Sequence, residues 1–62
     1  MYTIRLQRNK KAKIRRTLYK FDDGENARYF ADGFYQALFD TGNYCMVHVY
    51  DANGHKYYTA GE

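Results

Sequence analysis

The side chains best suited to chemistry are basic residues in the first third of the chain and aromatic residues spread through the rest. Residues 1–20 hold eight Lys and Arg residues and no acid, a formal charge of +8. Residues 21–62 hold all seven acids and two basic residues, a charge of −5, so the net charge of +3 conceals a strongly polarised chain. This asymmetry favours a polyanionic partner for the basic half. A hairpin kept soluble by lysine and arginine would give the same pattern.

Catalytic and metal-binding chemistry finds little support in the residue pattern. Cys45, His48 and His55 are the thiol and imidazole candidates. On a strand Cys45 and His48 point to opposite faces, which argues against a shared metal site and against a Cys–His nucleophile pair. Helix capping accounts for the acidic run 22–25. We therefore expect a binding protein that is not an enzyme and uses no cofactor or metal.

The length predicts a single domain, residues 1–62, with a small core. Cys45 has no partner for a disulfide, so four phenylalanines and eight tyrosines must supply much of that core, or the chain must form a homodimer. No apolar run is long enough to span a membrane, and residues 1–20 lack the continuous apolar segment that a secretion signal requires. With one unpaired thiol, these features predict a protein of the cytoplasm of a bacterium or an infected host cell, without membrane contact.

The N-terminal segment predicts a β-hairpin. Residues 2–7 alternate in the manner of a half-buried strand, and Asn9 favours a short turn at 9–11. A three-residue turn would pair Leu6 with Ile14, and Arg16 would then need a bulge or an edge position. The predicted core face holds Tyr2, Ile4, Leu6, Ile14 and Leu18. The predicted outer face holds Thr3, Arg5, Gln7, Lys13, Arg15, Thr17 and Tyr19.

The middle of the chain predicts one amphipathic helix. Asp22 is the expected N-cap, and Glu25 follows at the capping-box spacing. Gly42 is placed to end the helix in a left-handed conformation. Gly33 indicates either a close approach to the sheet or a tolerated cost of about 1 kcal/mol. The predicted apolar stripe is Ala27, Phe30, Ala31, Phe34 and Leu38.

Residues 44–60 predict a second hairpin around the strong turn signal Asn53-Gly54. A two-residue loop at Asn53-Gly54 and a four-residue loop over residues 51–54 assign the same side chains to the two faces. The predicted helix-facing residues are Cys45, Val47, Val49, Tyr58 and Ala60. The predicted outward-facing residues are Tyr44, Met46, His48, Tyr50, Tyr57 and Thr59.

The predicted fold is α+β, in the order ββαββ, with one helix on one face of a four-stranded antiparallel sheet. The uncovered face would then combine cations with aromatic rings, the combination by which proteins bind single-stranded nucleic acids. Single-stranded DNA or RNA fits this surface better than a duplex, although the basic turn could lie along a duplex backbone. The predicted nucleic-acid-binding residues are Arg5, Arg8, Lys10, Lys11, Lys13, Arg15, Tyr19, Tyr44, His48, Tyr50 and Tyr57.

A protein target is the alternative prediction. Tyrosine, methionine and arginine on one sheet face have the composition of an interface hot spot. The helix acids Glu25, Asp32 and Asp40 would offer a second contact surface. Short, compact proteins with uneven charge are typical of phage-encoded inhibitors such as anti-CRISPR proteins, an analogy of size and character that no motif supports. High β-propensity alone would also enrich a sheet in tyrosine.

Overall fold

The computed structural model describes residues 1–15, 17–42 and 45–61, and of Leu18 only the backbone. The elements in chain order are β1 (Tyr2–Gln7), β2 (Thr17–Phe21), α1 (Gly24–Asp40), β3 (Met46–Tyr50) and β4 (Lys56–Ala60). The strands form one sheet in the order β2-β1-β3-β4, and each neighbouring pair is antiparallel. The helix contacts all four strands. The predicted ββαββ fold is confirmed.

The core lies between α1 and the two central strands, β1 and β3. Small residues bring the helix close to the sheet, because Ala27 and Ala31 are fully buried against the aliphatic side chains. The predicted helix stripe is confirmed, since Phe30, Phe34 and Leu38 pack around these alanines. The buried apolar residues of the cluster are Ile4, Ala27, Ala31, Val47, Val49 and Ala60.

The helix begins one residue later than predicted. Asp23, rather than Asp22, is the N-cap, and its Oδ1 accepts a hydrogen bond of 3.0 Å from the Glu25 amide. Glu25 is therefore the second helical residue and does not occupy the capping-box position. The C-terminal end agrees with the prediction, because Thr41 is the C-cap and Gly42 has a φ of 80°.

The close approach of helix and sheet occurs at Gly24, not at Gly33. A Cβ added at Gly24 would lie 3.0 Å from Tyr2 Cζ and 3.1 Å from the Tyr57 hydroxyl oxygen. A Cβ at Gly33 would meet nothing within 4 Å. Of the two interpretations of Gly33, the close approach is excluded and the tolerated cost fits, because that residue lies on the exposed side of the helix.

The first hairpin has a longer connection than predicted. Asn9 Oδ1 accepts the amides of Lys11 and Ala12, each at 2.9 Å, and this side-chain turn carries the chain away from β1. The predicted pairing of Leu6 with Ile14 is wrong, because the Leu6 carbonyl accepts the Arg15 amide at 2.7 Å. Ile14 is consequently 41% exposed rather than part of the core.

Of the other predicted core residues in this hairpin, Ile4 is buried, and Tyr2 and Leu6 are partly buried against the core. Arg16 and the side chain of Leu18 lie outside what the structure describes.

The second hairpin turns through three residues, 52–54, rather than two or four. The Asp51 amide donates to the His55 carbonyl at 2.9 Å, which closes the loop. Asp51 Oδ1 accepts the amides of Asn53 and His55, each at 2.9 Å. Gly54 has a φ of 81°, whereas no other described residue type has a positive φ. A two-residue Asn-Gly turn of type I′ would have a positive φ at Asn53 as well, and Asn53 does not have one.

Candidate nucleic-acid interface

The candidate interface is the sheet face opposite α1, called here the open face. The strand register assigns its members, because residues paired across neighbouring strands share a face. From β2 to β4 they are Thr17, Lys20, Thr3, Arg5, Gln7, Met46, His48, Tyr50, Lys56 and Thr59. The other face, which packs against α1, is called the helix side.

Tyr19 lies on the helix side, contrary to the prediction. The β1–β2 register shifts so that Ile4 pairs with Tyr19 and Arg5 pairs with Thr17, leaving Leu18 as the extra residue of a β-bulge. The Tyr19 ring packs 4.8 Å from the Phe30 ring of the helix, between centroids. An unbroken alternation through β2 was the basis of the prediction, and the bulge breaks it.

Tyr57 is displaced in the same way. In β4 the register passes from Tyr58, paired with Val49, to Lys56, paired with Tyr50, so Tyr57 is the extra residue. Its ring packs 5.0 Å from that of Tyr2 on the helix side. The prediction for Tyr57 is therefore wrong. Lys56 occupies the open-face position beside Tyr50, a cation that the simple alternation did not identify.

The predicted basic residues whose structure is described are all exposed, but they do not all lie on a strand. Arg5 is in β1 on the open face, whereas Lys13 and Arg15 lie in the irregular segment before β2. The prediction that these two alternate along a strand is therefore wrong, because β2 begins only at Thr17. Three further predicted residues belong to the connection after β1: Arg8, Lys10 and Lys11. The predicted residue Tyr44 lies outside the described residues.

His48 is at the predicted face but is buried, with 2% of its surface exposed. Its Nε2 lies 2.7 Å from Gln7 Oε1, and its Nδ1 lies 2.8 Å from Thr59 Oγ1. The Gln7 amide nitrogen donates to the Ala12 carbonyl at 2.9 Å, so Gln7 Oε1 must be the acceptor facing the histidine. Nε2 is therefore the donor to Gln7 Oε1, and Nδ1 and the Thr59 hydroxyl form the second hydrogen bond. The buried ring therefore links β1, β3 and β4 through its hydrogen bonds, and it has no exposed face on which a base could stack.

Tyr50 and Arg5 form the aromatic and cationic centre that remains on the open face. Arg5 Cζ lies 5.5 Å from the centroid of the Tyr50 ring, within the range of a cation–π contact. Arg5 Nε donates to Thr17 Oγ1 at 3.1 Å, which holds the guanidinium in place. The His48 ring meets the Tyr50 ring edge-on, with centroids 6.1 Å apart. These contacts give the half-buried Tyr50 ring a defined orientation.

Two depressions lie along the open face. The first, of about 410 Å³, is bordered by Thr3, Arg5, Lys20, Tyr50 and Asp51 together with Met1, Ala52 and Gly54. The second, of about 380 Å³, is bordered by Gln7, Lys10, Ile14, Met46, His48 and Lys56. Exposed cations border both depressions, and the sequence alternation predicted neither Lys20 nor Lys56 there.

Acidic and basic groups are separated across the sheet. The charged side chains described on the open-face strand positions are Arg5, Lys20 and Lys56, all of them basic and exposed. Asp51 follows β3 at the rim, where its Oδ1 accepts hydrogen bonds from the amides of the turn. The acids associated with the helix are Asp22, Asp23, Glu25, Asp32 and Asp40.

A tyrosine–carboxylate pair marks the helix side. The Tyr58 hydroxyl donates to Asp32 Oδ1 at 2.5 Å, and Arg28 Cζ lies 5.1 Å from the centroid of the Tyr58 ring. The hydrogen bond to Asp32, together with burial and the Asp32 charge, raises the pKa of Tyr58. Arg28 opposes this shift in pKa without reversing it. The pair therefore holds the phenol in its protonated form and joins β4 to α1.

Within residues 1–15, 17–42 and 45–61, no three His, Cys, Asp or Glu side chains lie where they could hold a metal ion. The helix in this described part is neither long nor apolar enough to cross a membrane.

Comparison with known proteins gave no match to a family model, to a curated protein or to a solved structure.

Proposed function

We propose that this protein is a non-enzymatic nucleic-acid-binding module whose open face contacts the phosphate backbone. The supporting observation is the charge of that face, where Arg5, Lys20 and Lys56 place one exposed cation on each of β1, β2 and β4. The basic turn at residues 8–11 extends this surface beyond the end of β1. Cations that lie on several strands can contact successive phosphates of a nucleic acid. Such contacts supply most of the affinity in non-specific binding.

Single-stranded DNA or RNA is the preferred partner class. Tyr19 and Tyr57 pack on the helix side, so stacking on the open face depends on Tyr50 and on the Arg5 guanidinium beside it. Unpaired bases stack on tyrosine rings and on guanidinium planes, whereas the bases of a duplex are stacked on one another. A duplex would use the cations alone.

The proposal is tested by fluorescence anisotropy with labelled single-stranded DNA, single-stranded RNA and duplex DNA over a range of salt concentrations. Each phosphate contact with a single strand contributes about −0.7 to the slope of log K against log salt. Lys56→Ala should lower affinity for all sequences and make the slope less steep by about one contact. Arg28→Ala removes the same charge from the helix and is the matched control.

We expect binding to persist at physiological salt and Arg28→Ala to bind as the wild type does. Equal losses in the two variants would show that net charge, rather than the open face, controls binding. Absence of binding at physiological salt would contradict the proposal.

A protein target remains a second candidate, as a small inhibitor of the phage type. The observation that favours it is Tyr29, which is 67% exposed on the outer side of α1. Glu25 and Asp32 lie four residues before and three residues after it, so both are its neighbours on the helix surface. A basic protein surface with an aromatic pocket would fit this arrangement. Lys10→Ala with Lys11→Ala should weaken nucleic-acid binding and leave such a helix-centred contact intact.

A further inference from the structure

We infer that the depression bordered by Thr3, Arg5, Lys20, Tyr50 and Asp51 is a subsite for one unpaired nucleotide. The inference rests on the proposed nucleic-acid function and specifies where a base, rather than a phosphate alone, is held. The depression of about 410 Å³ is of the size that small ligands occupy in proteins.

Contacts within the protein orient the stacking surface of the subsite. Arg5 is held by its hydrogen bond to Thr17 and lies 5.5 Å from the centroid of the Tyr50 ring. His48, itself buried and hydrogen-bonded, packs against the same ring. An ordered tyrosine beside an ordered guanidinium offers a base two planar groups with little loss of side-chain entropy on binding. Arg5 thus contributes to stacking as well as to the positive charge.

The phosphate position follows from the strand register. Lys20 pairs with Thr3, and Thr3 pairs with Tyr50, so the three residues form one row across β2, β1 and β3. Two strand spacings of about 4.8 Å separate the backbones of Lys20 and Tyr50. A nucleotide with its base against Tyr50 can therefore place its phosphate near the flexible ammonium group of Lys20, with the Thr3 hydroxyl between the two.

Asp51 sets the orientation of the nucleotide. Its Oδ1 is held by the amides of Asn53 and His55, so the carboxylate stays at the Tyr50 end of the depression. A negative charge there repels a phosphate from that end, whereas Lys20 attracts it to the other. The two charges therefore favour one direction of binding, with the base toward Asp51.

The test compares binding of a labelled single strand with binding of a strand of equal length and charge whose sugars carry no bases. The wild type should prefer the base-containing strand by roughly 5- to 150-fold, the range expected for stacking of one base. Arg5→Lys keeps the charge and removes the planar group. It should lower this preference severalfold, because affinity for the base-containing strand falls by more than affinity for the abasic strand. Tyr50→Leu should do the same, and Tyr29→Leu on the helix is the matched control.

The outcomes separate the subsite from the proposed function. Equal binding of both strands by the wild type would overturn the subsite and leave phosphate binding standing. A preference that survives in both Arg5→Lys and Tyr50→Leu would also overturn it. Absence of binding to either strand would overturn the subsite and the proposed function together. The comparison is run with DNA and with RNA, so that a contribution of the 2′-hydroxyl appears as a difference between the two.

Discussion

The two faces of the sheet bury their central residues by different means. On the helix side Ile4, Val47 and Val49 are 0% exposed because α1 covers them. On the open face His48 is nearly as buried, although α1 packs on the opposite side of the sheet. Hydrogen bonds to Gln7 and Thr59 satisfy its polar atoms and draw β1, β3 and β4 together. The open face therefore has a buried polar centre at His48, and its exposed side chains lie around that centre.

The bulges explain why aromatic and basic residues separate between the faces. Each hairpin contains one extra residue, and each bulge turns a tyrosine, Tyr19 or Tyr57, toward the helix. The two rings pack at the margin of the helix side, where Tyr19 is 53% exposed and Tyr57 is 44% exposed. Among the strand residues that the structure describes, the open face holds three cations, Arg5, Lys20 and Lys56, and one tyrosine, Tyr50. Different residues therefore stabilise the small domain and give the open face its charge.

The largest expected effects come from replacing the buried centre of each face. Ile4→Ala should lower the free energy of unfolding by about 2–5 kcal/mol because it leaves a cavity under the helix. His48→Ala should lower it by about 1–3 kcal/mol or more, because Gln7 and Thr59 lose their partner in a buried place. Urea unfolding followed by circular dichroism measures both changes.

Lys56→Ala, an exposed change on the same sheet, is the control and should remain within about 0.5 kcal/mol of the wild type. A His48→Ala variant as stable as this control would show that the open face lacks a buried centre.

A matched pair of glycine substitutions should have opposite signs. Gly24→Ala places a Cβ against Tyr2 and Tyr57 and should destabilise the protein by about 1 kcal/mol or more. Gly33→Ala enters open space in the middle of α1 and should stabilise it by about 0.5–1 kcal/mol. Thermal unfolding of the two variants and the wild type decides the matter. Stabilisation by Gly24→Ala would contradict the close packing of the two tyrosines against the start of the helix.

The smallest expected effect concerns pH. The folded state raises the pKa of Tyr58 above its ordinary value of 10.0, chiefly through the hydrogen bond to Asp32. Above pH 10.0 the unfolded chain loses the Tyr58 proton while the folded protein retains it, so unfolding releases a proton. The stability that the Tyr58–Asp32 hydrogen bond contributes is therefore fully present below pH 10.0 and declines as the pH rises through the folded-state pKa. Tyr58→Phe should remove that part of the decline, as measured by urea unfolding at several pH values from 9 to 12.

Tyr29→Phe, which removes an exposed hydroxyl from the helix, is the control for the loss of a phenol. Identical losses of stability at high pH in the wild type and in Tyr58→Phe would contradict a role for the Tyr58–Asp32 pair in this dependence.

Much of the fold was predictable because its signals are local. Each signal depends only on residues that are close in the sequence. Examples are the alternation at Ile4 and Leu6, the helical spacing of Ala27 and Ala31, and the glycine at position 42. The candidate site was predicted less completely. Arg5 and Tyr50 are at the expected face, but Tyr19 and Tyr57 are not, and Lys20 and Lys56 were missed. One extra residue in a strand moves every following side chain to the opposite face of the sheet. A register error of one position therefore assigns all of those side chains to the wrong face.

The sequence by itself determined the order of elements, the apolar stripe of the helix and the uneven charge along the chain, because periodicity and composition are properties of neighbouring residues. Only the tertiary structure decided where the bulges fall, because they depend on how each strand fits its partner and the helix. It also decided that His48 is buried, since its two hydrogen-bond partners, Gln7 and Thr59, come from other strands. The same long-range packing brings Lys20, Thr3 and Tyr50 into one row, although they are far apart in the chain.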